Sequence, residues 1–354
     1  MYLNNMAFLI ERKKELNIAC IGGSVTEGYG STDKKEKSWP VLLGRWMEQT
    51  YGIRVNLVNA GIGGTSSSLG NYRFDAEIAP AKPDLFFIEF AVNDFYEGFD
   101  YRTTRRYSES LLSKAYRLNP DMDVVYILTY DLHYDNKDYP QLRAHRDIAD
   151  RNGLLSVKMS DFIYERCAKT GENPHDFYID WVHPNDLGYK TYAEIIEGIL
   201  AEDLKQCKNP TQMIPHKPIT VSDELLTNSR FLTGEAAYDL HGFTYQKPTS
   251  PNGGIRGGGA LIAEEPGSSF KFDFEGTDLG LFFTAGTNRG KLKLVVDGRE
   301  QAIIDTYLWH ENCNEKQLFA CLTPGKHTIE GTVSEEKNGN STATNIEINA
   351  FLVC

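Results

Sequence analysis

The sequence predicts a doubly wound parallel α/β sheet over residues 1–205, followed by a linker at 206–218 and a β-sandwich over 219–354. Three observations predict this order. The length of 354 residues exceeds that of one ordinary core. Up to about Lys205, short apolar runs alternate with longer amphipathic ones, which is typical of a parallel sheet connected by helices. Beyond the linker, apolar residues recur at every second position instead.

Each short apolar run of the first domain is predicted to be a strand covered by helices on both faces. The runs are Ile18–Gly22, Val55–Asn59, Leu85–Phe90, Val124–Thr129 and Leu154–Val157. Amphipathic stretches predict helices at Trp39–Thr50, Leu69–Ile78, Thr103–Leu118, Gln141–Asn152 and Asn185–Leu204. Together these elements predict a three-layer, flavodoxin-like fold.

The second domain is predicted from alternating residues and turn signals. Phe270, Phe272 and Phe274 alternate with charged residues, and Asp297-Gly298 indicates a tight hairpin turn. Further strands are expected at Lys291–Leu294, Ala302–Ile304, Thr328–Val333 and Thr344–Val353. Because no long helical pattern separates them, these strands predict a β-sandwich of jelly-roll type.

The composition excludes several classes of function. A net charge of -12 argues against binding to nucleic acid or to an anionic membrane surface, since both need clustered cations. No apolar run is long enough to span a membrane, and the first residues lack the apolar core of an export signal, so a cytoplasmic location is expected. The six cysteines show no CxxC spacing, which predicts reduced thiols rather than a zinc site.

Four loops carry residues suited to chemistry at the carboxyl edge of the sheet, where doubly wound folds bind their ligands. Three follow the first three strands, and the last precedes the final helix. They are Gly22-Gly23-Ser24, Asn59-Ala60-Gly61-Ile62-Gly63-Gly64, Ala91-Val92-Asn93-Asp94 and Asp180-Trp181-Val182-His183-Pro184.

Acyl transfer through a serine needs a base, a carboxylate that orients the base, and donors for the oxyanion. Ser24 is the candidate nucleophile, His183 the candidate base, and Asp180 the carboxylate three residues before it. Asn93 offers a side-chain amide, while Gly64 and Ser24 offer backbone N–H groups. The four loops therefore contain every group that such a reaction requires.

These loops resemble, in order, the four sequence blocks of the SGNH (GDSL-type) hydrolases. The resemblance covers the first domain and implies that Ser24, Asp180 and His183 form the catalytic triad. It also implies that Ser24, Gly64 and Asn93 form the oxyanion hole, with Gly63 in place of Gly64 if the loop register differs by one.

Two residues depart from the family pattern, without replacing a catalytic group. Gly23 stands where the family often has Asp, and Ala91 where it often has Gly. The departures therefore concern the geometry of the loops rather than their chemistry.

Several of these motifs also have other interpretations. Asp176 or Asp186 is an alternative partner for His183. A dinucleotide site at Gly61–Gly64 is rejected because G-x-G-x-x-G is not completed. The residue types of the segment Asp131–Asp135 resemble those of a metal site, but a solvated loop that could line the substrate cleft is the better interpretation. No metal and no cofactor is predicted.

Aromatic residues of the second domain are candidates for contact with sugar rings, because aromatic faces stack on apolar C–H groups. Trp309 is the predicted substrate-binding residue, and Tyr238, Phe243 and Tyr245 form a second group for which core packing is the alternative.

The resemblance extends to two-domain carbohydrate esterases, including acetyl-mannan esterases with a carbohydrate-binding-like second domain. It implies an enzyme that removes acetyl groups from acetylated oligosaccharides, with manno-oligosaccharides among the candidates. A lipase or thioesterase of the same family is one alternative, and a non-catalytic glycan-binding protein is another. The oligomeric state is not predicted.

Overall fold

The computed structural model describes residues 2–207, 210–250 and 258–354. The chain divides into two compact units, Met1–Thr227 and Asn228–Cys354. The first is an α/β unit and the second is built of antiparallel strands, so the predicted fold class is confirmed. Among the described residues, no helix combines the length and the apolar character needed to cross a membrane.

The described part of the first unit contains a five-stranded parallel sheet in the order β2-β1-β3-β4-β5. The strands are β1 Glu15–Gly22, β2 Arg54–Gly61, β3 Leu85–Glu89, β4 Asp123–Leu128 and β5 Leu155–Lys158. Every residue of β3 and β4 is buried, as expected for strands covered on both faces. This strand order is the flavodoxin-like one, and each strand lies where the sequence predicts it.

Helices flank this sheet. They are α1 Asn4–Arg12, α2 Ser24–Glu27, α3 Lys34–Lys37, α4 Trp39–Tyr51, α5 Ser67–Glu77, α6 Ala91–Tyr96, α7 Tyr101–Leu118, α8 Pro140–Arg151, α9 Met159–Thr170 and α10 Asp186–Gln206, with 3₁₀ turns at Ala79–Ala81, Leu132–Tyr134 and Pro174–Phe177. The sequence predicts α4, α5, α7, α8 and α10. It misses α1, α3 and α9. It also misses α2 and α6, which lie one residue after β1 and β3 and are too short to show helical periodicity.

The segment predicted to be a linker, 206–218, lies on the first unit in the structure. His216 places Nε2 3.1 Å from a carboxylate oxygen of Asp123, at the start of β4. Residues 219–227 also belong to the first unit, so the boundary between the units follows Thr227 rather than residue 218. The prolines and polar residues of this segment predict irregular backbone. In the structure, hydrogen bonds attach this backbone to the first unit.

The second unit contains two antiparallel sheets in its described residues, β13-β12-β15-β10-β7 and β14-β11-β16-β9-β8, with β6 paired to β16. The strands are β6 Arg230–Leu232, β7 Ala237–His241, β8 Thr244–Gln246, β9 Ala260–Ala263, β10 Ser269–Gly276, β11 Leu279–Ala285, β12 Lys291–Val296, β13 Glu300–Asp305, β14 Asn312–Phe319, β15 Gly325–Val333 and β16 Ile346–Val353, and a 3₁₀ turn lies at Gly234–Ala236. Asp297 and Gly298 have φ angles of 51° and 67°, which fits the hairpin turn predicted between β12 and β13.

A shared aromatic core joins the two sheets. Phe272 of β10 stacks on Phe351 of β16, with ring centroids 3.9 Å apart, and both side chains are fully buried. Because β10 and β16 belong to different sheets, this contact confirms the β-sandwich. The sequence analysis misses β6, β7, β8, β9, β11 and β14. The residues of β11 are all apolar, small or hydroxylated and all buried, so no alternation marks this strand.

We expect Phe272→Ala to lower the free energy of unfolding of the second unit by about 3–5 kcal/mol, because it removes a buried ring and leaves a cavity. Ile303→Ala, on the exposed side of β13, is the control and should change stability by less than about 0.5 kcal/mol. Urea unfolding gives the stabilities, and hydrogen exchange of peptides from β10 and β16 assigns the transition. Equal stabilities of the two variants would contradict this account of the core.

Candidate active site

The structure brings together Ser24 and His183, which are far apart in the sequence of the first unit. Ser24 is the first residue of α2, directly after β1, and only 8% of it is exposed. Its Oγ lies 2.8 Å from His183 Nε2, although 159 positions separate the two residues. The hydroxyl therefore lies within hydrogen-bonding distance of a potential general base.

Asp180 holds the His183 ring from the other side. Its Oδ2 lies 2.7 Å from His183 Nδ1, and its Oδ1 accepts hydrogen bonds of 2.8 Å from the N–H groups of Val182 and His183. Partial burial alone would raise the pKa of Asp180, but these hydrogen bonds outweigh it and hold the pKa below the ordinary value. A charged carboxylate on Nδ1 favours the tautomer that carries its proton there, which leaves Nε2 free to accept the Ser24 proton.

The two alternative partners of His183 have other contacts. Asp176 accepts from the backbone N–H of Asn173 and caps the turn at Pro174–Phe177. Asp186 accepts from Thr32 and Lys37. Of the three candidate carboxylates, Asp180 is the one that bonds to the His183 ring.

The second and third loops present the predicted oxyanion donors. The N–H of Gly63 donates to Glu27 Oε2 at 2.8 Å, so this alternative donor is already engaged. Gly64 is exposed and has a φ of 72°, the left-handed conformation that glycine adopts without strain. Asn93 lies in α6, and its side chain makes no hydrogen bond within the described ranges of the chain. Gly64 and Asn93 thus remain the candidate donors.

Gly23 has a steric reason to be glycine. A Cβ at this position would lie 2.2 Å from Asn93 Oδ1 and 2.7 Å from Asn93 Nδ2. The amide of Asn93 therefore occupies the space that the Asp common in the family would need. The other departure, Ala91, is the buried first residue of α6.

Two buried carboxylates beneath these loops are not predicted from the sequence. Glu89, the last residue of β3, accepts hydrogen bonds from Thr26 Oγ1 at 2.9 Å and from Thr129 Oγ1 at 2.6 Å. Burial raises the pKa of Glu89 to about 7, although its hydrogen bonds offset part of that effect. An acidic residue that ends an otherwise apolar strand is the one sequence signal that could have found it.

Asp94 is the second buried carboxylate, and it connects the second and third loops. It accepts from the N–H of Ser67 at 2.8 Å and from Ser67 Oγ at 2.7 Å, at the start of α5. His145 Nε2 lies 2.9 Å from the same carboxylate. No pattern in the sequence connects Asp94 with His145, which follows it by 51 positions.

Exposed rings surround the site. Tyr29 contacts His183 edge to face, with centroids 4.7 Å apart, and Trp181 is stacked on His133 at 3.7 Å. Trp181 and Tyr96 are 46% and 59% exposed. Asp131 fixes this group, because it lies 2.8 Å from His133 Nδ1 and accepts from the hydroxyl of Tyr96.

The Asp131–Asp135 segment, predicted to be a solvated loop, is attached to the fourth loop through the N–H of Leu132, which donates to the carbonyl of Trp181 at 2.9 Å. Asp131 itself is buried, whereas His133 is exposed. Within the described parts of the chain, no group of three His, Cys, Asp or Glu side chains could hold a metal ion.

In the second unit, Trp309 is 74% exposed and contacts His310 at a centroid distance of 4.1 Å. Phe243 is buried in the sandwich core, Tyr245 packs against that core, and Tyr238 is exposed. Core packing therefore accounts for Phe243 and Tyr245, and sugar contact by Trp309 stays a prediction.

Each of the two domains matches a known protein family. Residues 20–191 match the GDSL-like lipase/acylhydrolase family, and residues 256–351 match the family described as carbohydrate esterase 2 N-terminal. Residues 20–191 therefore form a GDSL-like, or SGNH, hydrolase domain. The chain is a carboxylic-ester hydrolase in which that domain precedes a carbohydrate esterase 2 type of domain.

Solved structures show the same two-domain fold. A two-domain esterase (CEX) active on acetylated mannans, co-crystallised with mannopentaose, has a TM-score of 0.80 and 23% identity over 99% of this chain and 94% of its own. A second crystal structure of that esterase has a TM-score of 0.78 and 22% identity over 99% of this chain and 95% of its own. No curated protein matches this sequence closely enough to count as a relative.

We expect Gly23→Ala to lower kcat on p-nitrophenyl acetate by roughly 10²-fold, because the new methyl group displaces the Asn93 amide from its position beside Ser24. Gly198→Ala is the matched control, since a Cβ there meets nothing within 4 Å. It should keep the wild-type rate and add up to about 1 kcal/mol of stability within α10. A Gly23→Ala enzyme with the wild-type kcat would show that Asn93 is not needed in this position.

Proposed function

We propose that this chain is a carbohydrate acetylesterase that hydrolyses acetyl esters of oligosaccharides through a triad of Ser24, His183 and Asp180. The observation that carries the proposal is the continuous set of contacts from Ser24 Oγ to His183 Nε2 at 2.8 Å and from His183 Nδ1 to Asp180 Oδ2 at 2.7 Å. A serine hydroxyl is a weak nucleophile unless a base takes its proton, and this arrangement supplies the base and its orienting carboxylate.

The reaction would proceed in two halves. Ser24 Oγ attacks the acetyl carbonyl carbon while its proton passes to His183 Nε2, and Asp180 stabilises the imidazolium. The N–H groups of Ser24 and Gly64 and the Asn93 amide would bind the oxyanion. His183 then gives its proton to the departing sugar oxygen, which leaves an acetyl-serine. Water attacks this ester by the same route, releasing acetate and restoring Ser24.

Three observations favour a carbohydrate substrate. The second domain matches a carbohydrate esterase family, and CEX, which shares the fold of both domains, is described as active on acetylated mannans. Exposed rings beside the triad, above all Tyr29, Tyr96 and Trp181, offer apolar faces of the kind that stack on sugars. We therefore place acetylated manno-oligosaccharides first among the substrates. Apart from the substrate and water, the proposed steps use only groups of this chain. The cytoplasmic location stays a prediction.

Ser24→Ala is expected to lower hydrolysis of p-nitrophenyl acetate by at least about 10³-fold, because the triad acts as a unit. Ser160→Ala is the control: Ser160 is also buried, and its Oγ bonds to none of the described residues. Mass-spectrometric loss of acetyl from acetylated manno-, xylo- and chito-oligosaccharides, compared with acyl-CoA and lipid esters, tests the substrate class. Unchanged hydrolysis by Ser24→Ala would refute the serine mechanism and favour a glycan-binding protein, and preference for lipid esters or acyl-CoA would favour the lipase or thioesterase alternative.

Trp181→Ala is expected to raise KM for acetylated manno-oligosaccharides by roughly 3- to 10-fold, the worth of one aromatic contact. The KM for p-nitrophenyl acetate, which has no sugar ring, should stay the same. Trp181→Phe should restore most of the affinity, because it keeps a ring at this position. The same comparison on Trp309→Ala tests the predicted contact in the second domain. Equal KM changes on both substrates would mean that Trp181 supports the catalytic loop rather than the sugar.

A further inference from the structure

We infer that Glu89 is a positioning residue for the nucleophile turn, residues 22–26: its buried carboxylate fixes the backbone on both sides of Ser24. By doing so it sets the directions of the Ser24 hydroxyl and of the Ser24 N–H. The inference rests on the proposed serine mechanism, because it assigns Glu89 a role only through Ser24.

Contacts of Glu89 lie on both sides of the nucleophile. Before Ser24, the backbone N–H of Gly23 favours the charged carboxylate and lowers its pKa. After Ser24, the N–H and the Oγ1 of Thr26 donate to Oε2 at 3.2 and 2.9 Å. A side chain that interacts with the backbone before Ser24 and accepts hydrogen bonds from Thr26 after it limits how Ser24 can rotate. Such a limit is the requirement for a preorganised nucleophile.

The turn also lies directly against the backbone of Glu89. Gly22 and Glu89 are paired across β1 and β3, and a Cβ on Gly22 would lie 2.7 Å from the Glu89 carbonyl oxygen. On the far side, Oε1 accepts from Thr129 Oγ1 at 2.6 Å, just after β4. Glu89 thus anchors the turn to two neighbouring strands of the sheet.

Burying a carboxylate to fix a turn is unfavourable, because the charge loses its hydration. Glu89 is fully buried, and it forms no ion pair among the residues that the structure describes, so its charge is stabilised by hydrogen bonds alone. The titratable side chains whose pKa its charge affects are Tyr139, Tyr189 and Tyr192. Burial is the main cause that raises the pKa of each hydroxyl, and the Glu89 charge adds to that effect. Retention of such a group beneath a catalytic turn is expected where geometry matters more than stability.

Protonation of Glu89 should weaken its contacts with the nucleophile turn. A neutral carboxyl group can donate to a threonine hydroxyl, but the N–H groups of Gly23 and Thr26 can only donate. The carboxyl group is a weaker acceptor for these N–H groups once its charge is lost. Because burial raises the pKa of Glu89 to about 7, we expect kcat to fall as the pH drops through that range. The Glu89 ionisation therefore contributes to the acidic limb of kcat.

The test compares Glu89→Gln with Asp84→Asn. Asp84 lies just before the first residue of β3, where it accepts from the N–H of Asn17 and from Lys13. It is therefore a carboxylate next to the same strand but at the end away from the turn. On p-nitrophenyl acetate, Glu89→Gln should lower kcat by about 10²-fold with KM nearly unchanged, whereas Asp84→Asn keeps the wild-type kcat. The acidic limb of Glu89→Gln should also lose the contribution of Glu89, because the amide does not ionise.

Thermal unfolding separates positioning from simple support of the fold. The pKa of Glu89 is raised in the folded protein, so ionising it destabilises the fold as the pH rises from its ordinary value of 4.5 to about 7. The amide of Glu89→Gln never ionises. The Tm of this variant relative to wild type should therefore increase over that range, even though kcat is lower.

Two outcomes would overturn the inference: a wild-type kcat and pH profile in Glu89→Gln, or a loss of kcat that only follows a loss of Tm. If Glu89→Gln does not fold, Thr129→Val replaces it. That change removes a hydrogen bond that favours the charged form, so it should move the acidic limb of kcat to higher pH. An unmoved limb would contradict the role of Glu89. Failure of the proposed function itself is distinguishable, because it would appear as full activity of Ser24→Ala.

Discussion

The parallel register of three neighbouring strands is the constraint on which the site depends. Gly22, at the end of β1, pairs with Gly61 at the end of β2 and with Glu89 at the end of β3. Because the carboxyl ends of parallel strands lie at one edge of the sheet, the three loops that follow must meet there. They meet closely, since a Cβ on Gly61 would lie 2.1 Å from the backbone N of Glu27. The sheet therefore brings the loops together, and small residues at their crossing points let them touch.

Most of the scaffold and the set of reactive groups could be predicted from the sequence, because each leaves a local pattern. Buried strands appear as apolar runs, and residues such as Ser24 and His183 stand out at the ends of such runs. The supporting groups leave no such pattern. Glu89 looks like the polar end of a strand, and the bond between Asp94 and His145 joins distant positions. The place of 206–218 on the first unit likewise depends on hydrogen bonds to distant side chains, which composition does not reveal.

The departure from the family pattern at Gly23 has a consequence for the oxyanion hole. In this chain the side chain of Asn93 lies over Gly23, so the first and third loops are in direct contact where the oxyanion would form. Asp94, the next residue, accepts from Ser67 at the start of α5 and so connects the third loop to the second. The candidate donors are thus held by contacts between loops rather than by the rigidity of any one loop.

The charges around the site bear on which ester it can take. Asp180 and Asp131 lie beside the exposed rings, Glu27 bonds to the second loop, and the whole chain carries a net charge of -12. Such surroundings would stabilise the imidazolium proposed to form on His183 and would repel anions from the candidate site. The acetate product is an anion, so the same field favours its departure. A neutral sugar ester suits this field, whereas the phosphates of acyl-CoA oppose it, and electrostatics therefore points in the same direction as the aromatic rings around the triad.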